Sequence, residues 1–193
     1  MLENIKKYNI ILGSNSPRRK KILEELGLKV KVIGSNIDES IIQNKNLEKV
    51  PVLLAKKKAF ALKNKIKSND LLITADTIVL LKDEILTKPQ NEEDAKRILS
   101  KISSKTHQVI TGVCILINGK EYSFSNTTKV SFDKLDLNEI DFYIKKYKPF
   151  DKAGSYGIQE WIGLIGIKKI NGSYSNVVGL PASRLYQELK RLI

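Results

Sequence analysis

The chain has 193 residues, with 34 basic and 21 acidic side chains, a formal charge of +13 and a hydrophobic fraction of 41%. That length suits one domain, residues 1–193, with a substantial core, and a charged fraction of 28% is the balance of a globular protein and excludes a disordered chain. One cysteine and one histidine exclude an intrachain disulfide and a multi-histidine metal centre, so a metal would have to be held through oxygen.

No uncharged apolar run approaches the roughly 18 residues of a membrane span. Residues 1–9 lack an apolar core of signal-peptide length, so a cytoplasmic protein is expected. The positive charge attracts polyanions, but the lysines are spread along the whole chain and are not interleaved with aromatics. They read as solubilising surface and not as a nucleic-acid interface.

Residues 8–12 carry the β-branched and aromatic bias of a short strand, and Gly13-Ser14-Asn15-Ser16 is small and polar enough to turn. Ser16 suits a helix N-cap, Pro17 suits the first helical position, and Ile22, Leu23 and Leu26 form an apolar stripe ending at Gly27. Arg18, Arg19, Lys20 and Lys21 crowd the positive end of this helix, where each cation is unfavourable by roughly 0.3–1 kcal/mol. A bound anion reverses that sign, because backbone N–H groups and guanidinium forks converge on phosphate oxygens. A lysine-rich solvated face is the plainer alternative. A helix opening with Glu92, Glu93 and Asp94 has the usual polarity, so the first helix is locally anomalous.

Residues 29–33 alternate as a strand and lead into a polar loop ending in Asp38 and Glu39, which read in isolation as solvated acids. Pro51 then opens a helix with Ala55, Ala59, Leu62 and Ile66 at helical spacing. Lys58 lies on the margin of that apolar face, where its stem packs and its ammonium reaches either a site or solvent. Residues 71–81 form the most strand-like run, with Asp76 as the single acid in its middle. A carboxylate there must be protonated, paired with a cation, bound to a metal or placed at a cleft. Lys82-Asp83 turns the chain into a second strand, 84–86, and Lys88 is held extended by Pro89.

A helix over 92–102 buries Ala95, Ile98, Leu99 and Ile102, and strands at 107–117 and 120–132 flank the hairpin turn Asn118-Gly119. Cys114 reads as a small buried hydrophobe and His107 as a core hydrogen-bonding residue. Asp136 and Glu139 form a capping box for a helix with Ile140, Tyr143, Ile144 and Tyr147 inward, stopped at Pro149. Residues 150–159 are too small and glycine-rich for a core element and read as a site loop or a neutral connector. Residues 164–170 and 174–178 flank Asn171-Gly172 as a second hairpin, and Pro181 opens a last helix with Leu185, Tyr186, Leu189 and Leu192 at core spacing. Hairpins mixed with strand-to-helix crossovers predict a mixed sheet in an α/β fold. Neither G-x-x-x-x-G-K-[ST] nor G-x-G-x-x-G occurs, so phosphate would be held another way.

Four of these stretches together resemble the Maf nucleoside triphosphate pyrophosphatases: Ser14-Asn15-Ser16-Pro17-Arg18-Arg19, Ala75-Asp76-Thr77, Lys88-Pro89 and Asp151-Lys152-Ala153-Gly154-Ser155-Tyr156-Gly157-Ile158-Gln159. Thr106-His107-Gln108-Val109 and Tyr174-Ser175-Asn176-Val177-Val178-Gly179-Leu180-Pro181 are further matches. The resemblance implies an elongated mixed sheet with flanking helices, two lobes around a central cleft, as in the inosine triphosphate pyrophosphatases. It also implies a homodimer and hydrolysis of a nucleoside triphosphate to monophosphate and pyrophosphate with Mg²⁺ or Mn²⁺.

By motif match Asp76 is the proton acceptor for the attacking water and, with Glu39, a metal ligand. Ser14, Arg18, Arg19, Lys58 and Lys88 hold the triphosphate, and Arg18, Thr77 and Gln159 set base specificity. The motifs look like the dTTP/UTP branch and not the 7-methyl-GTP branch. Glu160-Trp161 and Thr87 depart from the common pattern beside the implied base and phosphate contacts, which leaves a 7-methyl-GTP-type or other modified nucleotide open as the alternative substrate. From other functional classes, a nucleic-acid-binding module or a regulator of cell division are the rivals, but neither needs an acid in mid-strand.

Overall fold

In a computed structural model that describes residues 3–35, 37 and 46–193, the strands are β1 (Asn9–Leu12), β2 (Val30–Val32), β3 (Asp70–Leu81), β4 (Glu84–Leu86), β5 (Thr106–Ile117), β6 (Lys120–Phe132) and β7 (Ile167–Asn171). The α-helices are α1 (Pro17–Glu25), α2 (Val50–Leu62), α3 (Glu92–Ile102), α4 (Leu137–Tyr147), α5 (Trp161–Gly166), α6 (Tyr174–Val178) and α7 (Ala182–Leu192). The strands form one mixed sheet in the order β2-β1-β3-β5-β6-β7, with β4 paired to β3. Pairing is parallel from β1 to β2 and to β3, and antiparallel from β3 to β4 and from β6 to β7. This is the mixed sheet with flanking helices that the alternation of elements predicts. No helix among the described residues is long and apolar enough to cross a membrane.

The chain divides into two compact units, the first comprising Met1–Asp76, Thr111–Asn126 and Gly179–Ile193, the second Thr77–Ile110 and Thr127–Val178. In the first unit β1 lies between β2 and β3, with Leu12 level with Val32 on one side and Ile73 on the other. Side chains alternate along a strand, so Leu72, Thr74 and Asp76 share one face of β3. Helix α2 covers that face: Leu72 packs with Ala55, Ala59 and Leu62, and the Thr74 hydroxyl donates to the Ala55 carbonyl at 2.7 Å. Small residues on β5 make room for the helix. A Cβ on Gly112 would lie 2.3 Å from the backbone of Pro51 and Val52, so the bare α-carbon lets the first turn of α2 close onto the sheet.

The core of the second unit gathers Leu86 of β4 with Ala95, Ile98 and Leu99 of α3 and Ile140 and Ile144 of α4. Both helices begin as the sequence predicts. The Asn91 side chain accepts from the Asp94 N–H at 2.8 Å, and Asp136 and Glu139 form the reciprocal capping box.

One predicted hairpin is absent. Asn118 and Gly119 adopt the paired positive φ of 51° and 72° that a two-residue hairpin turn needs, but around Asn171-Gly172 only β7 is a strand. Of the residues expected as strand, 164–166 fall in α5 and 174–178 are α6. Ser173 redirects the chain: its N–H donates to Thr128 Oγ1 at 3.0 Å, while its hydroxyl accepts from the Asn176 N–H at 3.4 Å as a helix cap. Asn176, fully buried, then donates to the Val109 carbonyl and to Thr128 Oγ1, both at 3.0 Å. These contacts outweigh the strand preference of Tyr174, Val177 and Val178 in a five-residue segment.

Candidate active site

The anomalous helix start is built as an N-cap. The Ser16 hydroxyl accepts from the Arg19 N–H at 3.4 Å, Pro17 occupies the first turn, and no acid stands there. The four basic residues behind it divide by role. Lys20 and Lys21 pair with Glu24 and Glu25 one turn on, at 3.4 and 3.9 Å, and form the solvated face. Arg19 is buried instead: its Nε donates to the Gly179 carbonyl at 2.8 Å and one Nη to the Ser14 hydroxyl at 3.0 Å. The Ser14 oxygen also accepts the Ser16 N–H at 3.3 Å, so both its lone pairs are engaged and its O–H is what it can offer an anion. Arg18 is half-buried on the same first turn.

Asp76 lies three residues beyond Ile73, the last β3 partner of β1, so its carboxylate sits past the carboxyl end of that neighbouring strand. The Gly13–Ser16 turn leaves β1 at this same end, with the Gly13 N–H on the Ile73 carbonyl at 2.8 Å. Parallel strands ordered β2-β1-β3 send their connections to opposite sides of β1, and in such sheets ligands bind outside the carboxyl ends at that switch point. Asp76 is 8% exposed, and Lys58 Nζ stands 2.6 Å from its Oδ1. Lys58 is itself 4% exposed, in the middle of the α2 face that covers β3 and not on its margin, which corrects the expectation. The reason is Asp76: a carboxylate on the covered face holds the ammonium there.

In the second unit, Thr77 follows Asp76 on β3 and is half-exposed, and Lys88 is exposed after β4. The loop carrying Lys88 is tied to the 151–160 segment by the Gly154 N–H on the Thr87 carbonyl at 3.3 Å, which brings Lys88 and Gln159 onto one linked substructure. Gln159 is exposed, although Gly154, Ser155, Tyr156 and Ile158 around it are buried. The segment is therefore a piece of core that presents a side chain, not the neutral connector its composition allows. Sequence reasoning missed what holds it. Tyr143 donates its hydroxyl to Glu160 and accepts the Gly157 N–H at 3.0 Å, and Lys152 Nζ lies 3.1 Å from Glu160 and 2.8 Å from Asp151. Burial, then the bond to Glu160, push the Tyr143 hydroxyl above its ordinary value. The signal in the sequence was Glu160 itself, an acid beside an implied base contact.

Among the described residues no three acids, histidines or cysteines converge on a metal position. Asp76 nonetheless suits a hard cation such as Mg²⁺, which takes one or two carboxylates and completes its shell with phosphate oxygens and water. Glu39, the other expected ligand, lies outside the described residues. Cys114 is buried, which drives its thiol up to about 12 and leaves it no nucleophile at neutral pH.

A family model described as Maf-like protein matches residues 9–192. The dTTP/UTP pyrophosphatase of Phocaeicola vulgatus is 54% identical over 193 residues, covering 100% of both chains. That of Parabacteroides distasonis is 52% identical over 192 residues, covering 98% of this chain and 99% of the relative, and that of Porphyromonas gingivalis 49% over 193 residues, covering 98% and 97%. A solved structure described as a nucleoside-triphosphatase / dITP/XTP pyrophosphatase, from Mycobacterium abscessus, aligns with a TM-score of 0.41 at 12% identity, covering 64% of this chain and 72% of that one.

Proposed function

The chain belongs to the Maf family, and from that premise we propose that it hydrolyses nucleoside triphosphates, dTTP and UTP foremost, to the monophosphate and pyrophosphate. The observation that carries this reading is the full-length likeness to relatives named for that activity. The geometry supports it with a buried acid and lysine past the carboxyl end of β1, beside a helix start rich in cations.

In this reading Asp76 takes the proton of the attacking water as the water oxygen bonds to phosphorus and the bond between the α and β phosphates breaks, the electron pair leaving with pyrophosphate. Lys58, 2.6 Å away, donates to that carboxylate and holds it in place, and its ammonium has N–H groups to serve Asp76 and a phosphate oxygen together. Arg18 and Ser14 receive the triphosphate at the helix start, with Lys88 adding charge from its loop. Arg19, bonded to Ser14 and Gly179, holds that start in shape while contributing its own charge. Thr77, Arg18 and Gln159 read the base, and the Gln159 amide can both donate and accept, which matches the adjacent carbonyl and N–H of a uracil-type edge. A divalent cation, Mg²⁺ or Mn²⁺, held by Asp76 and Glu39, supplies charge neutralisation on the phosphates when bound. The family's dimer and a cytoplasmic location belong to the same reading.

The test is pyrophosphate release across standard and modified triphosphates. Stoichiometric pyrophosphate with dTTP and UTP as the best substrates is expected, and stepwise release of orthophosphate overturns the reading. Sedimentation of the purified protein at the mass of two chains checks the dimer.

A further inference from the structure

The turn that carries Gln159 is held more firmly than an exposed loop requires. The Glu160 N–H donates to the Gly157 carbonyl at 3.0 Å, closing four residues with Ile158 and Gln159 at the centre. Both ends of this turn hang on one group, because the Tyr143 hydroxyl of α4 accepts the Gly157 N–H and donates to the Glu160 carboxylate. The other carboxylate oxygen is 3.1 Å from Lys152 Nζ, whose side chain is 9% exposed. A Cβ on Gly157 would lie 2.8 Å from Glu160 Oε2 and 2.9 Å from Gln159 Nε2, so the Glu160 and Gln159 side chains close over the same bare α-carbon. Burying a lysine and a phenol to anchor a connector is costly. The arrangement is explained if the direction in which Gln159 points matters.

We propose that Glu160, clamped between Tyr143 and Lys152, is a positioning residue for Gln159 and through it sets the preference among nucleobases. Glu160 touches no reacting atom. Its carboxylate fixes one end of the turn, Tyr143 fixes the other, and the amide of Gln159 is held at one orientation toward the base edge. The inference rests on the reading of Gln159 as a base contact. A loosened turn leaves the triphosphate and the attacking water where they were and blurs the choice of base.

Steady-state pyrophosphate release with UTP and ATP, and thermal melting, are measured on the wild type and on Glu160→Ala, Glu160→Gln, Tyr143→Phe and Gln159→Ala. Glu160→Ala is expected to lower the ratio of UTP to ATP kcat/KM about tenfold, through a raised KM for UTP, with kcat within about threefold of wild type. Glu160→Gln keeps an acceptor for the Tyr143 hydroxyl and recovers part of the ratio. Tyr143→Phe shifts it in the same direction, and combined with Glu160→Ala it adds little, since both release the same turn. If Glu160→Ala does not fold, the Glu160→Gln and Tyr143→Phe ratios decide. A lowered melting temperature with the wild-type ratio per folded molecule overturns the proposal, as does an equal loss on both nucleotides. A wild type with no activity on UTP, or a Gln159→Ala variant with the wild-type ratio, removes the premise and the inference with it. A Gln159→Ala variant that loses the preference while Glu160→Ala keeps it overturns this inference alone.

Discussion

Lys58 and Lys152 are buried lysines, one in each unit, and the two are accommodated differently. Lys58 meets Asp76, with side-chain exposures of 5% and 11%, so the pair is shielded from water on both sides. Lys152 meets two acids, of which Asp151 is 56% exposed and Glu160 19%, and Glu160 also has a phenolic donor. The first arrangement places an acid and a base in direct contact away from water. The second spreads its charge toward water and holds backbone. The proposed chemistry draws on the Lys58–Asp76 pair, and the proposed positioning on the network around Glu160.

The largest effect should follow from breaking the Lys58–Asp76 pair at its acid. Asp76→Asn removes the charge and the basicity, and turnover is expected to fall by 10² to 10⁴, roughly 3–5 kcal/mol, with nucleotide binding retained. The same change removes the buried contact that Lys58 makes at 2.6 Å and lowers stability, so the deciding quantity is the single-turnover rate per folded molecule. A rate equal to wild type would make Asp76 purely structural. Breaking the pair at its base should destabilise as much: Lys58→Met strands the Asp76 carboxylate and costs about 3–5 kcal/mol, read by urea unfolding. Adding Asp76→Asn to that chain should restore most of the loss, and a double variant no more stable than the single would show that pairing is not what the lysine supplies.

His107 is a third way to bury a titratable group, by leaving it neutral. It is 1% exposed, its Nε2 lies 2.8 Å from the Tyr156 hydroxyl, and the Phe132 ring packs against it with centroids 5.7 Å apart. Burial lowers its pKa to about 4 from 6.5. The unfolded chain therefore takes up the proton first as pH falls, so the stability is whole above pH 6.5 and declines down to about pH 4, by about 3 kcal/mol. Urea midpoints across that window check this, and His107→Gln should flatten the slope. Asp70 and Asp94 respond lower in pH, since the Lys67 N–H and the Arg97 side chain hold their carboxyls below the usual 3.8. The smallest effect is expected at Lys152→Met. Tyr143 still serves Glu160 and water still serves Asp151, so about 1.5–3 kcal/mol should be lost, less than at Lys58. An equal or larger loss would erase the distinction between the two lysines.

Wherever energies within one helical turn decide, the sequence by itself determined the outcome. The Ser16 and Asn91 caps, the Asp136–Glu139 capping box, the bounds of α3 and the turn at Asn118-Gly119 all depend on neighbours three or four residues apart. The unusual residues of the site could also be picked out, because a lone acid in an apolar strand and cations at a helix start conflict with their local surroundings. What those residues touch was decided by the tertiary structure. Lys58 finds Asp76 18 positions away, Arg19 finds Gly179 160 positions away, and Tyr143 finds Glu160 across 17. Asn171-Gly172 has the same turn chemistry as Asn118-Gly119, yet Thr128 and Val109 hold Ser173 as the cap and Asn176 within the helix that follows. Local preferences of this kind differ by about 1 kcal/mol, whereas a buried side chain that meets its hydrogen-bonding partner avoids a penalty of about 1–3 kcal/mol. The partner across the fold therefore prevails over the propensity of the segment.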